Sequence, residues 1–209
     1  MSRSADNPNA VAPPGKREQV LAAARLVFGE LGYERASVDL IAARAGVSKA
    51  TIYSHFGDKQ SLFVAAVVAE CEALRSGLAP CREPPAGDVE EGLVRLGERI
   101  MTIFLTPAIR RLFRQATAES ERLPEIGRLV FERGTSAVLE AIAHQLQRLA
   151  ERGALRIPDP REAAIDFFAL CQGDLTVRAR LGVLEYPVDE KIRETVRRAV
   201  RTFVRAHRA

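Results

Sequence analysis

Apolar residues recur along most of the chain with the period of about 3.6 residues that an amphipathic helix requires. A linking helix follows residue 58 and stops near the Pro-rich stretch 79–87. Beyond that stretch, the period predicts further helices over 88–105, 107–119, 124–152, 160–181 and 188–207. No segment alternates apolar and polar residues as a half-buried strand does. The pattern therefore predicts an all-α protein of about nine helices.

Residues 37–63 carry two shorter helical patterns separated by a glycine. Ser37 is a good N-cap, since its hydroxyl can accept a hydrogen bond from an otherwise unpaired backbone N–H. Gly46 can take a positive φ without steric cost and so end the first helix. Ser48 can cap the second helix, which runs to about His55. This layout is typical of a helix-turn-helix.

The second of these helices has a polar outer surface. Ile52 and Phe56 are four residues apart and therefore share the buried face. The exposed positions hold Lys49, Ala50, Thr51, Tyr53, Ser54 and His55. A small polar surface with one positive charge and one aromatic hydroxyl fits the major groove of DNA. The alternative is a pair of packed helices with a solvated face, which is a common arrangement.

The run from residue 16 to about residue 67 resembles the N-terminal domain of TetR/AcrR-family transcriptional regulators. The resemblance rests on spaced positions along the whole run: Phe28, Gly32 and Tyr33, Ser37, Ile41 and Ala42, the Ala-Gly-Val-Ser of 45–48, the Tyr-x-His-Phe of 53–56 and the Lys-x-x-Leu of 59–62. It implies a three-helix DNA-binding domain over 16–62. The Asn, Pro, Ser and Gly content of residues 1–15 predicts a disordered arm before this domain.

The same resemblance assigns roles to individual side chains. The base-facing residues would be Lys49, Ala50 and Tyr53, and the residues at the DNA backbone would be Ser37, Ser48, Thr51, Ser54, His55 and Lys59. The chain departs from the family pattern at Ser54, where many relatives have an aromatic residue, so a stacking surface is lost. His55 has an alternative role as a spacer between helices, bonded to a backbone carbonyl.

The rest of the chain resembles the C-terminal domain of the AefR-like branch of these regulators, most clearly over 111–134 and 152–175. The resemblance implies a ligand-binding and dimerisation domain over 63–209, with the last long helices packed against a second subunit. The candidate interface residues are Phe167, Cys171, Leu175, Val196, Val200 and Phe203. Each of them has the alternative of lying in the ordinary core.

Aromatic residues in this second domain are candidates for the lining of a ligand cavity. They are Phe104, Phe113, Phe131 and Phe168, with Glu119 or His144 as a polar anchor. The alternative is that they only fill the core, since aromatic residues at helical spacing usually do.

Composition and motifs limit the function classes. The 31 Lys and Arg exceed the 27 Asp and Glu by four, which favours a polyanionic partner only mildly. No P-loop, HExxH motif or nucleophile elbow occurs, and the three histidines are scattered, so neither an enzyme nor a cofactor is expected. Cys71, Cys81 and Cys171 show no CxxC spacing and predict neither a zinc site nor a disulfide, although a redox role for Cys71 and Cys81 stays open.

The start of the chain lacks the apolar core of a signal peptide, and no apolar run is long enough to span a bilayer. We therefore expect a cytoplasmic protein. With the resemblance, the expected function is that of a repressor that binds a palindromic DNA operator as a homodimer and responds to a small-molecule effector. The alternative class is a helical interaction module without DNA binding.

Overall fold

The computed structural model describes residues 15–82, 88–184 and 188–208. Within these ranges no β-strand occurs, and Leu155 and Arg208 form an isolated antiparallel bridge. The predicted all-α class is therefore confirmed. The predicted N-terminal arm falls outside the described residues except for Gly15. None of the described helices combines the length and the apolarity that crossing a membrane requires.

The chain divides into two compact units between Ala66 and Val67. The first unit contains α1 (Lys16–Arg35), α2 (Val38–Ala45), α3 (Lys49–Phe56) and the beginning of α4 (Lys59–Gly77). Because the division falls inside α4, this one helix belongs to both units. The functional boundary at residue 62 stays a prediction.

The first unit has a small aromatic core. The Phe63 ring on α4 packs edge-on against Phe28 of α1, with 5.0 Å between the ring centres, and also lies 5.0 Å from Tyr33. Tyr33 reaches this position because Gly32, with a φ of +77°, breaks the regular geometry of α1 just before it. Ile41 of α2 and Ile52 of α3 are fully buried, and both helices pack against α1 and against each other.

The second unit contains the rest of α4, a 3-10 turn (Ala79–Arg82) and the helices that follow it. These helices are α5 (Val89–Phe104), α6 (Pro107–Glu119), α7 (Pro124–Leu129), α8 (Ser136–Glu151), α9 (Pro160–Gln172), α10 (Leu175–Leu181) and α11 (Asp189–Ala206). Helix α9 packs against α8 and α11, and α11 packs against α5. The core between them contains an edge-to-face pair of Phe167 and Phe203, with ring centres 5.2 Å apart.

Helix α5 passes close to α9 and α11 at Gly97. A Cβ at this position would lie 2.7 Å from Val196 Cγ1 and 3.1 Å from Cys171 Sγ, which is closer than van der Waals contact allows. The three helices can therefore approach this closely only because residue 97 has no side chain.

Two of the predicted helices are not continuous. The helix expected over 160–181 ends at Gly173, which has a φ of +48° and leaves no room for a Cβ beside Thr195, so α9 and α10 are separate helices. The helix expected over 124–152 contains a π-helical turn, Val130–Thr135, between α7 and α8. Gly134 in this turn faces Cys71 and Leu74 of α4, and a Cβ there would be 3.7 Å from each of them.

Candidate nucleic-acid interface and ligand pocket

The turn between α2 and α3 has the geometry that the sequence predicts. Ser37 caps α2, because its Oγ accepts a hydrogen bond from Leu40 N at 3.1 Å. Gly46 ends α2 with a left-handed φ of +66°. Ser48 caps α3 by accepting from Thr51 N at 3.1 Å. The ends of the two helices and the turn between them are thus fixed by local hydrogen bonds and one glycine.

The outer face of α3 is exposed and polar. Ile52 and Phe56 are buried as predicted, while Lys49, Ala50, Tyr53, Ser54 and His55 are exposed. Tyr53 stands out, since 48% of a large aromatic side chain is accessible to solvent. An exposed tyrosine on a short, capped helix has its ring and its hydroxyl available to a partner.

The residues expected at base edges lie together on this face, but Lys49 is not isolated. Its Nζ forms an ion pair with Asp39 Oδ1 of α2 at 2.6 Å, and both side chains are largely exposed. The carboxylate offsets part of the positive charge at the beginning of α3. The pairing of Asp39 with Lys49 was not predicted from the sequence.

The hydroxyl groups expected at the DNA backbone already have partners within the unit. Ser37 and Ser48 serve as caps, and Ser48 Oγ lies 2.9 Å from Thr51 Oγ1. Ser54 Oγ donates to Thr51 O at 2.9 Å. Each hydroxyl oxygen has a second lone pair and each stays at or near the surface, so these bonds orient the groups without blocking a further contact.

His55 is exposed, and its ring lies beside that of Phe56 with 6.4 Å between centres. Within the described part of the chain it makes no hydrogen bond to a backbone carbonyl, so the spacer role has no support. An exposed imidazole at the end of α3 is compatible with contact to a phosphate.

Lys59, at the beginning of α4, has a structural role that the sequence did not reveal. Its Nζ lies 4.5 Å from the centre of the Tyr33 ring and donates to Glu34 O at 3.3 Å. The ammonium group therefore ties α4 to the end of α1. Asp58 precedes it and accepts from Ser61 N at 2.7 Å, and this hydrogen bond lowers the pKa of the carboxyl below its usual value.

The second unit contains an open pocket of about 540 Å³ between α6 and α10. Phe104 and Phe113 line it as expected, with 5.0 Å between their ring centres. Phe168 lies behind Phe104, in an edge-to-face contact at 5.2 Å. The complete lining is Phe104, Leu105, Pro107, Arg110, Arg111, Phe113, Arg114, Thr117, Ala118, Thr176, Ala179 and Arg180.

Phe168 is therefore not part of the lining, and neither are the remaining three expected residues. Phe131 lies in the π-helical turn with 59% of its side chain exposed, and His144 is exposed on α8. Glu119 is buried, but its carboxylate pairs with Arg122 at 3.0 Å. The lining instead contains four arginines that were not predicted. The sequence did indicate three of them, because they recur on α6 at the spacing of one helical face.

The expected dimer stripe is wrong. Phe167, Cys171, Leu175, Val196, Val200 and Phe203 are each 2% exposed or less, and they form the core of the second unit. They pack against one another across α5, α9 and α11, as the Phe167–Phe203 pair shows. The alternative of ordinary core is therefore the correct one for these six residues.

A different apolar set is exposed on α9, on α10 and just after them. Its members are large side chains with no covering partner in one copy of the described chain: Ile165, Leu170, Val177, Leu181 and Val183, between 37% and 71% exposed. Val177 and Leu181 are four residues apart and therefore share one side of α10. We refer to the five exposed side chains together as the apolar face of α9 and α10.

All three cysteines are free and buried. Burial raises the pKa of the Cys171 thiol to about 12 and that of Cys71 to about 11, and it also raises the pKa of Cys81. A reactive cysteine needs an exposed thiolate near neutral pH. The geometry thus gives no support to a redox role.

Two family profiles match the chain, one for each unit. The profile described as bacterial regulatory proteins, tetR family, matches residues 20–66. The profile described as the AefR-like transcriptional repressor, C-terminal domain, matches residues 91–209. Together they cover the helix-turn-helix and most of the second unit.

Individual relatives agree with these matches. A TetR-family transcriptional regulator from Mesorhizobium loti superposes with a TM-score of 0.84 and 27% identity, covering 93% of this chain and 97% of that one. The flavonoid-responsive regulator FrrA superposes with a TM-score of 0.78 and 33% identity, covering 92% and 97%. An HTH-type transcriptional regulator from Mycobacterium tuberculosis is 31% identical over 156 residues, covering 74% of this chain and 73% of that protein.

Proposed function

Since the chain belongs to the TetR family of DNA-binding transcriptional regulators, we propose that it represses its target genes as a homodimer on a palindromic operator and is released by a small-molecule effector. The family's members are not enzymes, and this chain is not one either. The observation that carries the proposal is the capped helix α3, which presents an exposed polar face with Tyr53 near its centre.

The proposed contacts with DNA follow from this face. Lys49, Ala50 and Tyr53 face the base edges in the major groove, and Ser37, Ser48, Thr51, Ser54, His55 and Lys59 lie along the phosphates. The N-terminal residues of a recognition helix usually read bases, while hydroxyls, cations and helix N-termini hold the backbone. The exposure of Tyr53 and the fixed caps of Ser37 and Ser48 support this division.

The proposed dimer uses the apolar face of α9 and α10 rather than the six core residues. A second copy covers Ile165, Val177 and Leu181, which are otherwise accessible to water. A twofold axis between the copies brings two recognition helices to successive major grooves, about 34 Å apart. The operator is for this reason a partial palindrome, and the protein acts in the cytoplasm, where bacterial DNA lies.

The proposed effector site is the pocket between α6 and α10. Its volume of about 540 Å³ falls in the range of small-molecule sites, and its aromatic side chains suit an aromatic compound. The related FrrA is named flavonoid-responsive, which supports an aromatic effector here. Coupling to DNA binding runs through α4, because this helix belongs to both units.

DNA binding is tested by titrating the protein into its own upstream DNA and into random duplex of equal length at two salt concentrations. We expect a preference for the upstream DNA at both concentrations and weaker binding at the higher one. A helical interaction module would show no preference for the upstream DNA. That result would refute the proposal that the protein binds an operator there.

The dimer is tested by light scattering on the Val177→Glu and Leu181→Glu variants, with Arg205→Glu on the exposed side of α11 as control. The first two variants should become monomeric and lose operator binding, and the control should stay dimeric. A wild-type monomer, or dimers in all the variants, would exclude this interface.

A further inference from the structure

Arginine side chains dominate the wall of the pocket between α6 and α10. Three of them, Arg110, Arg111 and Arg114, lie on α6, and Arg180 lies on α10. The α6 arginines share a face with Thr117, because the intervals of three and four residues return to the same side of a helix. Among the described residues, no acidic side chain belongs to the lining.

The acidic residues of these two helices are occupied elsewhere. Glu119 of α6 pairs with Arg122, and Asp174, just before α10, pairs with Arg178. Arg111, Arg114 and Arg180 form no ion pair with any residue in the described ranges. Like charges gathered in one pocket raise the local positive potential, and an anion that enters the pocket is attracted by all of them.

Arg110 joins the two walls. Its Nη2 donates a hydrogen bond to Ala179 O of α10 at 2.9 Å, across 69 positions of the chain. One edge of this guanidinium is thus fixed by the protein, which orients the rest of the group in the pocket wall. This bond holds α6, which carries Arg111 and Arg114, beside α10, which carries Arg180. Guanidinium groups bind carboxylates through two parallel N–H donors, so a set of arginines suits a planar oxyanion.

The rest of the lining includes apolar side chains. Phe104, Leu105 and Phe113 belong to it, and the Phe104 ring packs against Phe168. A ligand that suits both kinds of lining combines an anionic group with a flat apolar body. The volume of about 540 Å³ suits a body of one or two fused rings.

From this lining we infer that the effector is an aromatic carboxylate, with its carboxylate on Arg111, Arg114 and Arg180 and its ring against Phe104 and Phe113. The inference rests on the proposed function, because it assigns a chemical class to the effector site of the regulator. The proposed function requires only an aromatic effector. This inference also requires that the effector carry a negative charge.

The test compares each acid with its neutral isostere in the full-length dimer. The probes are 2-naphthoate with 2-naphthamide, and trans-cinnamate with trans-cinnamamide. Calorimetry measures binding, and the same compounds are added to the operator complex. We expect at least one carboxylate to bind about ten-fold or more tightly than its amide and to release the operator, since charge-assisted hydrogen bonds to arginine are lost in the amide.

Arginine variants test whether the carboxylate binds in this pocket. Arg111→Gln combined with Arg114→Gln should weaken carboxylate binding about ten-fold or more and leave amide binding within about two-fold. Arg205→Gln removes a charge from α11, away from the pocket lining, and should change neither. Thermal unfolding and retained amide binding show that the double variant is folded.

The inference is overturned if amide and acid bind equally, if neither carboxylate binds, or if the double variant binds the acid as the wild type does. These outcomes differ from a failure of the proposed function. In that case the protein would not prefer its upstream DNA over random duplex, even without any compound. Carboxylate binding without operator release would support the anion site and contradict its regulatory role.

Discussion

Lys49 Nζ and Asp39 Oδ1 form an ion pair of 2.6 Å that links the first residue of α3 to the first turn of α2. The pair lies on the surface that we propose for DNA, so the carboxylate faces the same polyanion as the ammonium group. An acidic side chain in such a place opposes phosphate and restrains the lysine. The affinity for DNA therefore depends on both residues.

Asp39→Asn should strengthen DNA binding by about two- to five-fold, because exposed charge pairs contribute about 0.2–1 kcal/mol. The gain should appear on operator and on random duplex alike and should shrink as salt is raised. Fluorescence anisotropy with labelled duplexes measures both. Glu140→Gln removes an exposed charge from α8 and serves as the control. Weaker binding by the Asp39 variant would show that Asp39 mainly orients Lys49.

Tyr53→Ala should weaken operator binding by about 1–3 kcal/mol and leave binding to random duplex nearly unchanged, as loss of a base contact does. The fold should persist, because nearly half of the Tyr53 side chain is exposed. Footprinting titrations and circular dichroism provide the measurements. Tyr53→Phe separates the hydroxyl from the ring. Unchanged operator affinity in the alanine variant would show that Tyr53 does not contact the bases.

Lys59→Ala should lower affinity for all sequences alike and reduce the salt slope by about one unit. The structure adds a second effect, since the contact of Lys59 with the Tyr33 ring is lost and stability should fall by about 0.5–1 kcal/mol. Salt titrations and urea unfolding separate the two effects. A lower stability with an unchanged salt slope would mean that Lys59 only supports α4.

Gly97→Ala should destabilise the second unit, because the added methyl group collides with Val196 and Cys171 at a cost of about 1–3 kcal/mol. A gain of about 1 kcal/mol in helix propensity offsets part of this cost, so the expected net loss is up to about 2 kcal/mol. Gly77→Ala is the matched control, since its Cβ would meet Ile103 at an ordinary 3.6 Å. Denaturant unfolding of both variants decides the matter. Equal stability would indicate that α5 shifts at little cost.

The buried thiols predict a pH dependence. The pKa of Cys171 is about 12 in the fold and 9.0 for the unperturbed group, so folding favours the protonated thiol. The stabilisation is fully present below pH 9 and is lost as pH rises toward 12, because the unfolded chain releases its proton first. At pH 8 the native protein should react slowly with a thiol reagent and the unfolded chain rapidly. A fast native reaction would reopen the redox role.

Local features of the fold were predictable from the sequence. The caps of Ser37 and Ser48 and the turn at Gly46 depend on near neighbours, so a short stretch of residues carries the whole signal. The pairing of Lys49 with Asp39 depends on the angle between two helices. Nothing in the spacing of these residues specifies that angle.

The stripe of Phe167 and Val196 shows a different limit. An apolar period predicts that a helix face is buried, but it does not say whether the same chain or a second copy covers it. In the structure the chain covers this face itself. Ile165 and Val177 do not follow the apolar period of their helices. Only the three-dimensional packing shows that these apolar side chains are exposed.

The residues that line the pocket were predicted only in part, because their positions also depend on how the helices pack. Phe104 ends α5 and Phe113 lies in the middle of α6, and both line the pocket with 5.0 Å between their ring centres. Phe131 does not, since it lies in the π-helical turn, where an extra residue changes the phase of the helix. The arginines were not predicted, because their place in the pocket depends on α10 lying beside α6.

Helix α4 passes without interruption from residue 59 to residue 77, across the point where the chain divides. Inserting one residue there would advance everything downstream by about 1.5 Å and rotate it by about 100° about the helix axis. Chimeras that exchange the head of this protein with that of a relative must accordingly be spliced in helical register. We expect a junction of the wrong length to yield two folded halves without the coupling that we propose between them.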